Sequence, residues 1–80
     1  MIDKFRWIVE KLIRENYPQD CDERIESLDY SKSLLQLGYD SIDASMLAID
    51  LENEFDVLLS DHEDMGKTLD EICEICETKL

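Results

Sequence analysis

Apolar residues recur at helical spacing over residues 2–16, where Phe5, Ile8, Val9, Leu12 and Ile13 form one continuous stripe. Ile2 extends the pattern by a turn, Asp3 offers an early acid or N-cap, and Trp7 falls off the main stripe, at its edge. Tyr17-Pro18 ends the segment, because the residue before a proline is biased out of the helical region. Over 19–40 the rhythm breaks. Ile25, Leu28, Leu34, Leu35 and Leu37 are scattered among acids, serines and Lys32. This predicts a loop pinned to the core by some of these side chains, with a short helical turn in 31–36, and it is a long connection for a compact domain.

Periodicity returns over 41–55. Leu47, Leu51 and Phe55, with Ala44 and Ala48, share the face expected in the core. Ile42, Met46 and Ile49 lie on another side, mixed with Asp43, Asp50 and Asn53. A helix apolar on two sides is either deeply buried or offers one side to a partner, and a domain this small favours the partner. Val57, Leu58 and Leu59 read as a connector that plugs the core. Residues 61–66 predict a short third helix with Asp61 as N-cap and Gly66 as terminator. Thr68-Leu69-Asp70-Glu71 is a capping box that opens the last helix, striped by Leu69, Ile72, Cys73, Cys76 and Leu80. The sum is an all-α single domain over 1–80: three main helices plus a short third one, with a long loop between helices 1 and 2.

Composition narrows the function. A chain of 80 residues holds one small core and buries only around 60% of the surface its unfolded form exposes. Its 21 acids against 8 bases give a formal net charge of −13. That charge excludes nucleic acid and anionic membrane as natural partners and favours proteins with basic patches. Three cysteines cannot pair completely within the chain. No basic segment followed by a long apolar run succeeds Met1, and no apolar stretch spans a bilayer. The expectation is a monomer in the cytoplasm with reduced thiols.

The stretch with chemical content is Gly38-Tyr39-Asp40-Ser41-Ile42-Asp43. A glycine closes a polar loop, an acid precedes a serine, and the serine opens the most regular helical segment. A hydroxyl there faces unpaired backbone N–H groups and the positive end of the helix dipole, where an esterified phosphate is favoured. A self-activated nucleophile is not expected. The only histidine is His62, and neither lysine nor arginine occurs between Lys32 and Lys67, so no base is at hand in the sequence.

Leu37-Gly38-Tyr39-Asp40-Ser41-Ile42 resembles the Leu-Gly-x-Asp-Ser-Leu signature of acyl carrier proteins and peptidyl carrier domains. The run 47–55, ending Leu51-Glu52-Asn53-Glu54-Phe55, is similar to that family's second helix, and the resemblance covers nearly the whole chain, least over 17–33. It implies an acyl-carrier-like bundle with a long first loop. It implies that Ser41 is phosphopantetheinylated by a separate transferase using coenzyme A, and that the thiol of the 4′-phosphopantetheine arm holds an acyl or aminoacyl group as a thioester. Asp40, by the same analogy, orients Ser41 or binds the metal of the transferase complex, a role compatible with N-capping. The arm-bearing domain is not itself an enzyme. It delivers its cargo to acyl-loading and synthase enzymes with basic docking patches. Ile42, Met46 and Ile49 are the candidate docking surface, with Asp43, Asp50, Glu52 and Glu54 supplying charge. Tyr39, Ile42 and Met46 depart from the residues usual in fatty-acid carriers, which tilts the reading toward a specialised polyketide, nonribosomal peptide or other dedicated pathway. An interaction module without a prosthetic group, binding a partner helix through the same face, is the alternative from a different class.

Two other patterns read as structural. Cys73-Glu74-Ile75-Cys76 has metal or redox spacing, but only Cys21 and His62 remain as further ligands and the pair falls at core spacing, where cysteine acts as a small hydrophobe. Counted from Asp61, a calcium loop would place Gly66 correctly at its sixth position, but Met65 at the fifth and Ile72 at the twelfth, where oxygen ligands are needed. His62 reads as a surface residue of the short third helix.

Overall fold

The computed structural model describes residues 3–60 and 63–78. Among these the chain forms four helices, α1 (Asp3–Asn16), α2 (Cys21–Glu26), α3 (Ser41–Phe55) and α4 (Leu69–Thr78), and no strand. None of them is long and apolar enough to cross a membrane. The all-α bundle of three main helices and one short one is as the periodicity predicts. The short one lies elsewhere.

The α1 stripe is buried in full: Phe5, Ile8, Val9, Leu12 and Ile13. It packs on α3, whose Ala44, Leu47, Ala48, Leu51 and Phe55 face inward, and on α2. Trp7 is 51% exposed, at the edge where its phase puts it. The unforeseen helix is α2, placed within the stretch read as loop. It has six residues and none is buried, so it carries no apolar period to detect. Ile25 is partly buried against the core, and an Arg24–Asp20 pair one turn apart bridges at 2.9 Å.

The predicted short third helix is corrected. Asp61 and His62 lie outside the described residues, and 63–66 form a turn. Ser60 anchors it: its carbonyl accepts from the N–H of Asp64 at 2.9 Å and of Met65 at 3.1 Å, and its own N–H donates to the Asp64 carboxylate at 2.8 Å. Met65, buried, plugs the core there. Leu58 is also corrected. Val57 is buried but Leu58 is 83% exposed: α3 ends at the left-handed Asp56, and the connector beyond it turns only part of its apolar run to the core.

The start of α4 accounts for the long loop. A helix leaves its first N–H groups without internal partners. Here Leu69 N–H donates to the Lys32 carbonyl at 3.1 Å and Asp70 N–H to the Tyr30 carbonyl at 2.8 Å. Glu71 N–H donates to Thr68 Oγ1 at 3.2 Å, and the Glu71 carboxylate accepts from the Thr68 N–H and hydroxyl, closing the predicted capping box. These bonds hold the Glu71 carboxyl below its usual range. Leu34, buried, and Leu28, Tyr30 and Leu37, partly buried, pin the loop from the other side. Cys73 and Cys76 are both buried in the core. Burial, with the neighbouring Cys73 and Glu77 adding to it, pushes the Cys76 thiol up to about 11, which keeps it protonated and inert at neutral pH.

Candidate functional site at the amino end of α3

Residues 34–38 form the turn that the sequence suggests near 31–36. Gly38 donates to the Leu35 carbonyl at 3.2 Å and Tyr39 to that of Leu34 at 3.0 Å. Gly38 has φ +96°, and a Cβ there would meet nothing within 4 Å. The glycine is required by backbone conformation rather than by space.

Asp40 then caps α3. Its Oδ1 accepts from Asp43 N–H at 2.9 Å, and Asp43 Oδ2 accepts from Asp40 N–H at 3.3 Å. This reciprocal box makes Asp40 the N-cap and Ser41 the first helical residue. Ser41 is exposed. Among the described residues its hydroxyl has no hydrogen-bond partner, and the N–H groups of Ser41 and Ile42 have none either. The capping is done by the neighbour, so the serine oxygen and two helix-start donors are open on the same turn.

Asp43, expected as a docking charge, is corrected: it is 4% exposed. Besides serving the cap, its Oδ2 accepts a hydrogen bond from the Tyr17 hydroxyl. Tyr17 meets Tyr39 edge-on, with ring centroids 5.4 Å apart, and the Arg24 guanidinium lies 4.0 Å from the Tyr17 ring centroid and 5.3 Å from that of Tyr39. Tyr17, Arg24 and Tyr39 are thus the support that sequence reasoning missed. No period links positions 17, 24, 39 and 43. They meet only because α1 ends beside the start of α3.

The bond to Asp43, reinforced by burial and by the nearby Asp43 and Asp40 charges and opposed by Arg24, pushes the Tyr17 hydroxyl from 10.0 up to about 12. The folded state therefore keeps this proton where the unfolded chain has lost it. Its contribution to stability is complete below pH 10 and disappears as pH rises to about 12. Urea midpoints measured at pH 8 and pH 11 should accordingly fall less for Tyr17→Phe than for the wild type. An equal fall in both would remove Tyr17 from the account.

Ile42 and Ile49 are 66% and 57% exposed. Met46 is partly buried against the core and, with Leu12, Glu15, Asn16, Ile49 and Asp50, lines an open groove of about 210 Å³ between α1 and α3. Asp50 is half-buried at that groove.

Among known proteins, the model of a family described as the phosphopantetheine attachment site matches residues 11–76. No curated protein and no solved structure gives a significant match. The matched span runs from the middle of α1 through α4 and includes the whole first loop, where the motif resemblance is least. The chain belongs to the phosphopantetheine-attachment family of acyl and peptidyl carriers, whose cofactor is a covalently bound 4′-phosphopantetheine.

Proposed function

We propose that Ser41 carries the 4′-phosphopantetheine arm and that the protein is an acyl carrier of a fatty-acid, polyketide or other specialised pathway. The observation that carries this reading is the exposed, uncommitted Ser41 hydroxyl on the first turn of α3, with the capping duty taken by Asp40. The unpaired N–H groups of Ser41 and Ile42 and the positive helix end suit a phosphodiester there, so the residues fit the cofactor. In loading, the serine oxygen gives up its proton and forms one phosphoester bond while the pyrophosphate link of coenzyme A breaks and the adenosine bisphosphate leaves. Once attached, the arm supplies a thiol that holds cargo as a thioester. The chain's own part is to present the serine, keep the turn rigid and offer partners a face. Ile42 and Ile49, exposed, with Met46 and Asp50 at the groove between them and α1, form that face. Its partners are a phosphopantetheinyl transferase and cargo-handling enzymes with basic patches. The net charge of −13 supports fast, salt-sensitive encounters with them. The reading is of a monomeric domain in the cytoplasm, where cysteines are ordinarily kept reduced.

Incubation with coenzyme A and a broad-specificity transferase, followed by intact-mass measurement, is expected to add one phosphopantetheine to the wild type and none to Ser41→Ala. A folded wild type that stays unmodified would overturn the reading and favour an interaction module built on the Ile42–Ile49 face.

A further inference from the structure

We propose that Tyr17 is a positioning residue for the modification of Ser41, acting through Asp43 on the first turn of α3. The inference rests on the reading of Ser41 given above and adds a role for the end of α1.

An exposed capping box would serve the helix equally well with its N3 carboxylate in water. Here that carboxylate is only 4% exposed, and one of its oxygens takes donors from two places, the Asp40 N–H and the Tyr17 hydroxyl. Burying a carboxylate is costly unless it is fully bonded, so Tyr17 is what lets Asp43 sit inside. The tyrosine is itself held. Arg24 stacks on its ring, Tyr39 meets it edge-on, and Tyr39 is tied through its N–H to the Leu34 carbonyl at 3.0 Å. Ser41 lies between two residues, Asp40 and Asp43, that are bonded to each other, and the second is bonded to α1. Its backbone is fixed from both sides while its own hydroxyl takes no partner among the described residues. A transferase needs that oxygen in one place relative to the phosphorus it attacks. Fraying of a helix's first turn would scatter it.

The test is the loading rate of folded carrier variants by a broad-specificity transferase with coenzyme A, followed by intact mass over a range of carrier concentrations. Tyr17→Phe keeps the ring and its stacking but removes the hydroxyl. It is expected to lower kcat roughly tenfold, the scale of a small misplacement of a reacting group, with KM nearly unchanged because the docking face is intact. Amide exchange at Asp43 and Ala44 should quicken in the same variant. Asp43→Asn, which keeps an oxygen for both donors, should recover most of what Asp43→Ala loses. Ile72→Val in α4 removes core packing far along the chain from Ser41 and should load at the wild-type rate. Wild-type kcat in Tyr17→Phe, or an equal loss in Ile72→Val, overturns the inference while leaving Ser41 as the attachment residue. A wild type that takes no phosphopantetheine overturns the Ser41 reading first and this one with it.

Discussion

Phe5→Ala is expected to lose a quarter or more of the protein's stability. Phe5 is fully buried at the start of the α1 stripe and meets Tyr30 edge-on, with ring centroids 6.4 Å apart. Truncating a phenylalanine in such a place costs about 3–5 kcal/mol, through lost burial and the cavity left behind. A chain of 80 residues has only about 4–12 kcal/mol in total. The neighbouring rings cannot close the gap cheaply, since Tyr30 is pinned by its own carbonyl to Asp70 N–H at 2.8 Å. Urea unfolding monitored by circular dichroism reads the effect. Trp7→Ala, at a half-exposed position on the same helix, is the matched control and should move the midpoint little. Comparable shifts for the two would mean that α1 does not bury the face assigned to it.

Ile42→Asp is expected to leave stability almost unchanged and to weaken partner engagement by more than tenfold. The side chain is 66% exposed, so little packing is lost on folding, and an acid in the first turn is favourable to the helix dipole. Added negative charge should even improve long-range attraction to a basic partner. If binding nonetheless falls, the loss comes from the apolar contact itself, in line with the concentration of interface energy in a few central side chains. KM or Kd for the transferase, measured at two salt concentrations, separates the two effects. An unchanged or tighter Kd at both would show that Ile42 is not part of the docking face. Ile49→Asp, at 57% exposure on the same helix, should behave alike.

What could be read from the chain, and what could not, divides by the range of the interaction. The stripe of α1, the inward face of α3 and the Thr68–Glu71 box depend on residues three and four apart, and such spacing is visible in a sequence. So was the motif around Ser41, carried by six consecutive residues. The helix α2 was hidden because six residues with no buried side chain leave no period. Over 61–66, Gly66 and an acidic start suit a turn as well as a helix. At Leu58, hydrophobicity alone does not say which side of a connector meets the core. At the site, Asp43 looked like a surface acid on every local criterion. Its burial follows from Tyr17, 26 positions away, and only the packing of α1 on α3 brings the two together. Tyr39 stands out in the sequence only as a departure at the motif's variable position; its contacts with Tyr17 and Arg24 exist only in the fold.

The two main-chain bonds from the start of α4 to the Lys32 and Tyr30 carbonyls make the carboxy-terminal helix and the first loop a single cooperative unit. Peeling α4 away strips that loop of its acceptors' partners and frees the segment that runs on to Gly38 and the cap. A grip on α4 would therefore be felt at the start of α3, so order around Ser41 is a property of the packed bundle rather than of the few residues that bear the motif.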